Sequence, residues 1–263
     1  MRLVIGTCRA GLKPRWDTGH VLDHGGENRR RATTLLGACV AAIVAVVWLM
    51  FAVTGHPVLG LLVGAVVAAT VVSVGVRRSL PTALAKAGAT PADPKDEARF
   101  HNLVEGLSAA AGVPKPDLYV IEDPAMNAFA AGRDPRHAAL VCTRGLLDGL
   151  TRIELEGIVA HELSHIRHLD ILPSTLAVTL VATLAPSLVT KVVGARRESL
   201  ADVTGVSLTR YPPGLISALE KLRDDTTGLQ ISDRAIAHLW IEAPAEQTDH
   251  PPLDERIQAL REL

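Results

Sequence analysis

Two apolar runs restrict the architecture of this chain more than any other feature. Leu35 to Val53 (LLGACVAAIVAVVWLMFAV) and Val58 to Val76 (VLGLLVGAVVAATVVSVGV) carry no charged side chain. Each is long enough to cross the hydrocarbon core of a bilayer as a helix. Only Thr54-Gly55-His56-Pro57 separates them, so the two spans form a hairpin. A buried soluble hairpin is the alternative, and arginines flanking two uncharged runs argue against it. Arg29, Arg30 and Arg31 precede the first run, Arg77 and Arg78 follow the second, and the turn has no Lys or Arg. The excess of basic residues on the cytoplasmic side of membrane proteins then puts both ends of the hairpin in the cytoplasm. Gly60 and Gly64 form a GxxxG, which lets helices approach closely but is common by chance.

Composition agrees with a membrane protein. The 263-residue chain is 48% hydrophobic and only 3% aromatic, with a mean hydropathy of +0.24, more apolar than an ordinary soluble domain. A net charge of −1, with no basic stripe, excludes a general electrostatic attraction to nucleic acid. Cys8, Cys39 and Cys142 are far apart with no CxxC pair, so a cysteine zinc site or disulfide framework is not expected. No secretory signal is expected either, because the first apolar run begins only at Leu35.

The remaining chain divides around the hairpin. Residues 1–33 are polar and arginine-rich, without helical or strand periodicity, and read as a flexible cytoplasmic tail in which His20 and His24 are isolated histidines. Residues 34–77 are the hairpin, and 78–263 a second domain. Leu80 to Ala92, with Pro81 and Pro91, reads as a linker. Asp93 to Ala111 fits an N-capped helix ended by Gly112-Val113-Pro114. Leu118 to Ile121 is a short strand. Asn127 to Ala131 and Ala138 to Cys142 fit a hairpin around Gly132-Arg133-Asp134. Helices follow, so the fold class is mainly α with a small β-sheet.

The chemistry begins at Thr151-Arg152-Ile153-Glu154, a T-x-x-E capping box. It opens a helix that carries His161-Glu162-Leu163-Ser164-His165. Two histidines at i and i+4 lie on one helical face and can converge on one metal, with Glu162 placed to reach a water there. A chain of this composition shows HExxH by chance about twice in a hundred, so the motif needs a third ligand. Ile171 stands six residues beyond His165, which excludes the version with a third histidine there. His168, one turn on, reads as a neighbouring histidine and not as a ligand. Glu198 and Asp202 are also i, i+4. Glu198 can complete a zinc site with His161 and His165, while Asp202 accepts the free N–H of a histidine ligand.

HELSH, an apolar stretch and then ESLAD resemble the HtpX-like membrane metalloproteases, relatives of the type 1 CaaX prenyl protease. Asn127-Ala128-Phe129-Ala130 resembles that family's N-A-F-A strand. Thr248-Asp249-His250-Pro251-Pro252 with Glu255-Arg256-Ile257 resembles its late HPP…ERI motif. The resemblance covers about residues 35–263 and implies an α+β zincin-like peptidase domain over 78–263. It implies one zinc per chain on His161, His165 and Glu198, with Glu162 as general base. It also implies that Asn127 to Ala130 is an edge strand pairing with extended substrate, and that His250 helps stabilise the oxyanion. Arg256 is expected to be structural, paired with an acidic residue. Expected substrates are polypeptides, chiefly misfolded or unassembled membrane proteins, and the lipid bilayer is the other partner. A catalytically inactive, zinc-binding membrane scaffold of the same fold is the alternative. An intramembrane protease is disfavoured, because Arg152, Glu154, Glu156, Arg167 and Asp170 make the zinc helix too charged to lie in a span.

One departure from the family has a geometric consequence. Ile171 to Thr190 is apolar and broken by Pro173 and Pro186. It is too short for two crossings, which need about forty apolar residues. A single crossing would put Glu198 on the far side of the bilayer from His161. The run is therefore expected to return to its starting side, as a re-entrant, interfacial or buried segment.

Overall fold

The computed structural model describes residues 24–181, 189, 193, 197–230, 233–242 and 251–263. The apolar runs lie within two 30-residue helices, α1 (His24–Val53) and α2 (Pro57–Lys86), each about 45 Å long. Val46, Met50, Val53, Val58 and Leu62 are between 61% and 82% exposed. So many bare apolar side chains suit lipid and not water. The glycine pair is the hairpin's contact surface. A Cβ at Gly60 would lie 2.6 Å from Phe51 Cβ, and one at Gly64 3.2 Å from Val44 Cα.

Both helices extend beyond their apolar runs, which corrects two expectations. Residues 24–33 are the first turns of α1 and not a flexible tail, and Asn28 and Ala32 are buried there. At the other end, α2 continues through Pro81 to Lys86, where a linker was expected. Its final turns bury Ala83, with Ala87 just beyond, against Ile121, Phe129, Val141 and Trp240. That burial outweighs the hydrogen bond lost at Pro81. Lys86 also pairs with Asp233 at 2.6 Å, so the hairpin runs directly into the second domain.

That domain contains a mixed sheet of β1 (Thr90–Pro91), β2 (Asp117–Ile121), β3 (Ala128–Asp134) and β4 (His137–Thr143), in the order β1-β2-β4-β3. β2 and β4 are parallel, and the other two pairs are antiparallel. The hairpin turn falls at Pro135-Arg136, because β3 continues through an irregularity between Gly132 and Asp134. Gly132 has φ +153, and a Cβ there would lie 2.4 Å from the His137 carbonyl oxygen, so only glycine fits. Between β1 and β2, α3 (Ala98–Ala111) starts later than expected. Asp93 caps a preceding turn, accepting from the Lys95 N–H.

Next come α4 (Arg144–Gly149), α5 (Arg152–Arg167) and α6 (Ile171–Leu180). They are followed by α7 (Arg197–Thr209), α8 (Pro212–Asp224) and α9 (Leu253–Arg261). The fold is mainly α with a small sheet, as expected. Leu155, Ile158, Val159, Leu163 and Ile166 bury α5 in the main core with Phe100, Leu140 and Leu219. α6 is ten residues long, about 15 Å and half the hydrocarbon thickness. It packs on α2, where a Cβ at Gly75 would meet Leu180 Cδ2 at 2.9 Å. It also packs on β3, where Thr175 Oγ1 accepts from the Gly132 N–H. The first half of the 171–190 run is therefore buried in protein.

Candidate metal centre

The start of α5 is fixed by the capping box read from the sequence. Glu154 N–H donates to Thr151 Oγ1, and the Glu154 carboxylate accepts from Thr151 N–H. That carboxylate also accepts from Ser217 and Lys221 of α8. Burial favours its neutral form, but Lys221, Ser217 and Thr151 outweigh that and hold its pKa at about 2. With α5 anchored, α7 crosses it closely at Gly205, where a Cβ would lie 3.0 Å from the His161 nitrogen. This approach brings Glu198 and Asp202 against His161.

Three ligand-type residues converge there. His161 Nε2 is 3.2 Å from His165 Nε2 and 3.3 Å from Glu198 Oε2, and His165 Nε2 is 3.8 Å from Glu198 Oε1. Ligands held 2.0–2.1 Å from a tetrahedral zinc stand about 3.3–3.4 Å apart. All three residues are buried. Glu198 follows the apolar run yet lies beside His161, so by Glu198 the chain is back at α5.

The far nitrogens of both rings are committed. His161 Nδ1 lies 2.9 Å from Asp202 Oδ1, and His165 Nδ1 lies 2.9 Å from Asp170 Oδ2. Each Nδ1–H donates to a carboxylate, which leaves the two Nε2 atoms facing each other across 3.2 Å, a spacing that needs a proton or a metal ion between them. A metal ion takes the place of that proton. Charge points the same way. Four carboxylates (Glu162, Asp170, Glu198, Asp202) meet two guanidiniums, Arg197 at 3.0 Å from Glu198 and Arg256 at 2.7 Å from Asp202. One divalent cation cancels the remainder. Burial opposes a charge on His165, yet Glu198 and Asp170 overcome it and raise its pKa to about 10. A site that holds a proton this firmly against burial favours positive charge. The donor set therefore fits a divalent metal.

Residues 94–263 match the model described as peptidase family M48. The chain belongs to that family. It is 36% identical over 230 residues to a Protease HtpX homolog of Thermoanaerobacter pseudethanolicus, covering 69% of this chain and 77% of the relative. The corresponding protein of Tropheryma whipplei is 37% identical over 226 residues, with 69% and 78% covered. That of Streptococcus thermophilus is 31% identical over 263 residues, with 80% and 87% covered. As an M48 peptidase the chain is a metalloprotease, and α1 and α2 make it a membrane protein.

The other expected site residues of this M48 peptidase are placed as follows. Glu162 is buried beside the two histidines, and burial raises its pKa. Arg256 grips Asp202 with two hydrogen bonds of 2.8 and 2.7 Å and donates to the Ile241 carbonyl. His168 lies outside the cluster, with its Nδ1 on Ser164 Oγ at 3.2 Å. His250 lies outside the described residues. Sequence reasoning missed Asp170, the partner of His165. Five residues on, it shares no helical face with His165. The turn that returns it passes through Leu169 at φ +59, and no sequence pattern announced that turn.

β3 is an edge strand, as expected, but its first residues are covered. Thr143 N–H donates to the Asn127 carbonyl, so by alternation Ala128 and Ala130 point their backbone groups away from β4. Ile241 N–H already donates to the Ala128 carbonyl, and the Asn127 side chain donates to the Glu242 carbonyl. Phe129 packs edge-on against Trp240, ring centres 4.9 Å apart. The expectation of an open edge across all of Asn127 to Ala130 is corrected. Between the Ile241 contact and the Gly132 N–H bond to Thr175, Ala130 is the residue whose backbone groups point away from β4.

Proposed function

We propose that this M48 peptidase is a zinc-dependent endopeptidase that cleaves membrane polypeptides at the cytoplasmic membrane surface, in the quality control of membrane proteins. The observation that carries this reading is the convergence of His161, His165 and Glu198, with both imidazole Nδ1 atoms held by carboxylates. In this reading those three residues bind one zinc ion. When bound, zinc supplies a Lewis acid that polarises the scissile carbonyl and lowers the pKa of water from about 15.7 toward about 7.

The protein's own groups do the rest. Asp202 and Asp170 keep both ligand rings in the Nδ1–H tautomer and fix their planes. Arg256 holds Asp202 in place, and Arg197 holds Glu198. Glu162 takes a proton from the attacking water and delivers it to the leaving amine. Its buried carboxyl, raised above the ordinary range, suits both halves of that transfer. Ala130 offers an outward N–H and C=O to an extended substrate backbone, and His250 stabilises the oxyanion. The substrate class rests on the bilayer. Arg29–Arg31 and Arg77–Arg78 flank the spans at the end joined to the peptidase domain, which supports a cytoplasmic active site beside membrane-protein clients.

The test is Glu162→Gln in purified detergent-solubilised protein, assayed on an unfolded polypeptide such as casein. Loss of a general base lowers hydrolysis by about 10²–10⁴-fold while zinc content stays at the parental level. Equal turnover by the two proteins would reject the enzyme reading.

A further inference from the structure

We propose that Asn28, in the first turns of the membrane helix α1, is a positioning residue of the metal centre. The proposal rests on the zinc reading of His161, His165 and Glu198. Asn28 lies outside the family-matched region, 94–263, and before the apolar run of α1, yet it is buried. Its Nδ2 donates to Asp170 Oδ1 at 2.6 Å and to the His168 carbonyl at 3.0 Å. The amide orientation is dictated, since both partners accept only. The other Asp170 oxygen holds His165 Nδ1 at 2.9 Å. An unbroken hydrogen-bond chain thus runs from a transmembrane helix through Asp170 to a metal ligand.

The segment that Asn28 holds cannot keep its own shape cheaply. It turns through Leu169, a non-glycine residue in the left-handed region at φ +59. The first turn of α1 lies directly against it, and a Cβ at Gly25 would touch Leu169 Cδ1 at 3.7 Å and the His168 carbonyl oxygen at 3.9 Å. One turn along α1, Arg31 Nη1 donates to the Val193 carbonyl at 3.0 Å. The start of α1 therefore clasps the chain just after the zinc helix and again just before Glu198. Held by Asn28, Asp170 keeps one oxygen aimed at His165. Without it, Asp170 is free to turn toward the cavity of about 420 Å³ that it lines with His24, Glu27, Asn28, Arg31, Arg197 and Leu200. The hairpin is thus part of the metal centre as well as its anchor, and the seating of α1 in the bilayer affects metal retention.

The test measures zinc affinity by chelator competition in the whole protein in detergent, with the melting temperature of the metal-free form recorded beside it. Asn28→Ala is expected to weaken zinc binding about 10-fold, the low end for loss of an outer-shell partner. Thr34→Ala, at an exposed position on the same helix, leaves it unchanged. Asn28→Asp sets two carboxylates together and weakens zinc further. Adding Asp170→Asn restores a donor–acceptor pair and recovers part of the loss, which a general packing defect would not do. Affinity of Asn28→Ala within twofold of the Thr34→Ala control overturns the proposal, as does an Asn28→Asp/Asp170→Asn protein no tighter than Asn28→Asp. Glu198→Ala in the same series separates the two readings. If it binds zinc as the parent does, the metal centre itself is misassigned and the role of Asn28 falls with it.

Discussion

At the scale of single residues, the centre is built by using both ends of each imidazole. His161 and His165 each give Nδ1–H to a carboxylate and turn Nε2 inward. Glu198 and Asp202 then serve one ring from one helical face. Close by, Glu242 clasps Asn127 with its backbone while its half-buried side chain ionises with difficulty. Burial and the Asp225 charge, partly offset by Arg256, raise its pKa to about 7. The folded form therefore holds this proton more tightly than the unfolded chain. Its stabilising contribution is complete below about pH 4 and is lost as pH rises through about 7. Glu242→Gln should then melt higher than the parent at pH 8 and alike at pH 4. Allowing for solvent screening, the gain is on the order of 1 kcal/mol, or about 2–4 °C. A gain that is the same at both pH values would assign the effect to packing and not to charge.

At the scale of elements, the centre depends on how closely α7 crosses α5. Gly205→Ala puts a methyl 3.0–3.1 Å from the His161 backbone, so α7 must move outward by a few tenths of an ångström and carry Glu198 and Asp202 with it. The expected outcome is about 1–3 kcal/mol of lost stability together with weaker zinc binding, read by melting and chelator competition. Unchanged zinc affinity would show that the crossing distance does not set the ligand geometry. Local patterns made much of this level legible from the sequence. The two spans follow from uncharged length, α5 from its capping box, and the HELSH and Glu198/Asp202 faces from helical periodicity. What escaped depends on long-range burial. α2 passes Pro81 because Ala83 and Ala87 find a core, and residues 24–33 are helical because Asn28 and Ala32 dock on the second domain. The parallel pairing of β2 with β4 and the cover of β3 by Trp240–Glu242 join distant segments, which periodicity does not record.

At the scale of the whole molecule, α2 runs without a break from its apolar span into the peptidase core, and the start of α1 grips the metal centre. The peptidase domain therefore sits at a fixed position against the end of the hairpin that bears Arg29–Arg31 and Arg77–Arg78. Single cysteines at Gly55 in the turn and at exposed Asp148 in α4, in a chain otherwise free of cysteine, should react from opposite faces. A membrane-impermeant thiol reagent should label position 55 from outside intact cells, and position 148 only after the inner face is opened. Labelling of position 148 from outside, and of position 55 only after the inner face is opened, would reverse the proposed orientation.

Zinc content bears most directly on the site that unites these scales. Metal analysis of the purified chain, washed with a mild chelator, should give one zinc per chain for the parent and for Glu162→Gln. For Glu198→Ala it should give a small fraction of that. Zinc retained by Glu198→Ala at the parental level would contradict the assignment of His161, His165 and Glu198 as the metal centre.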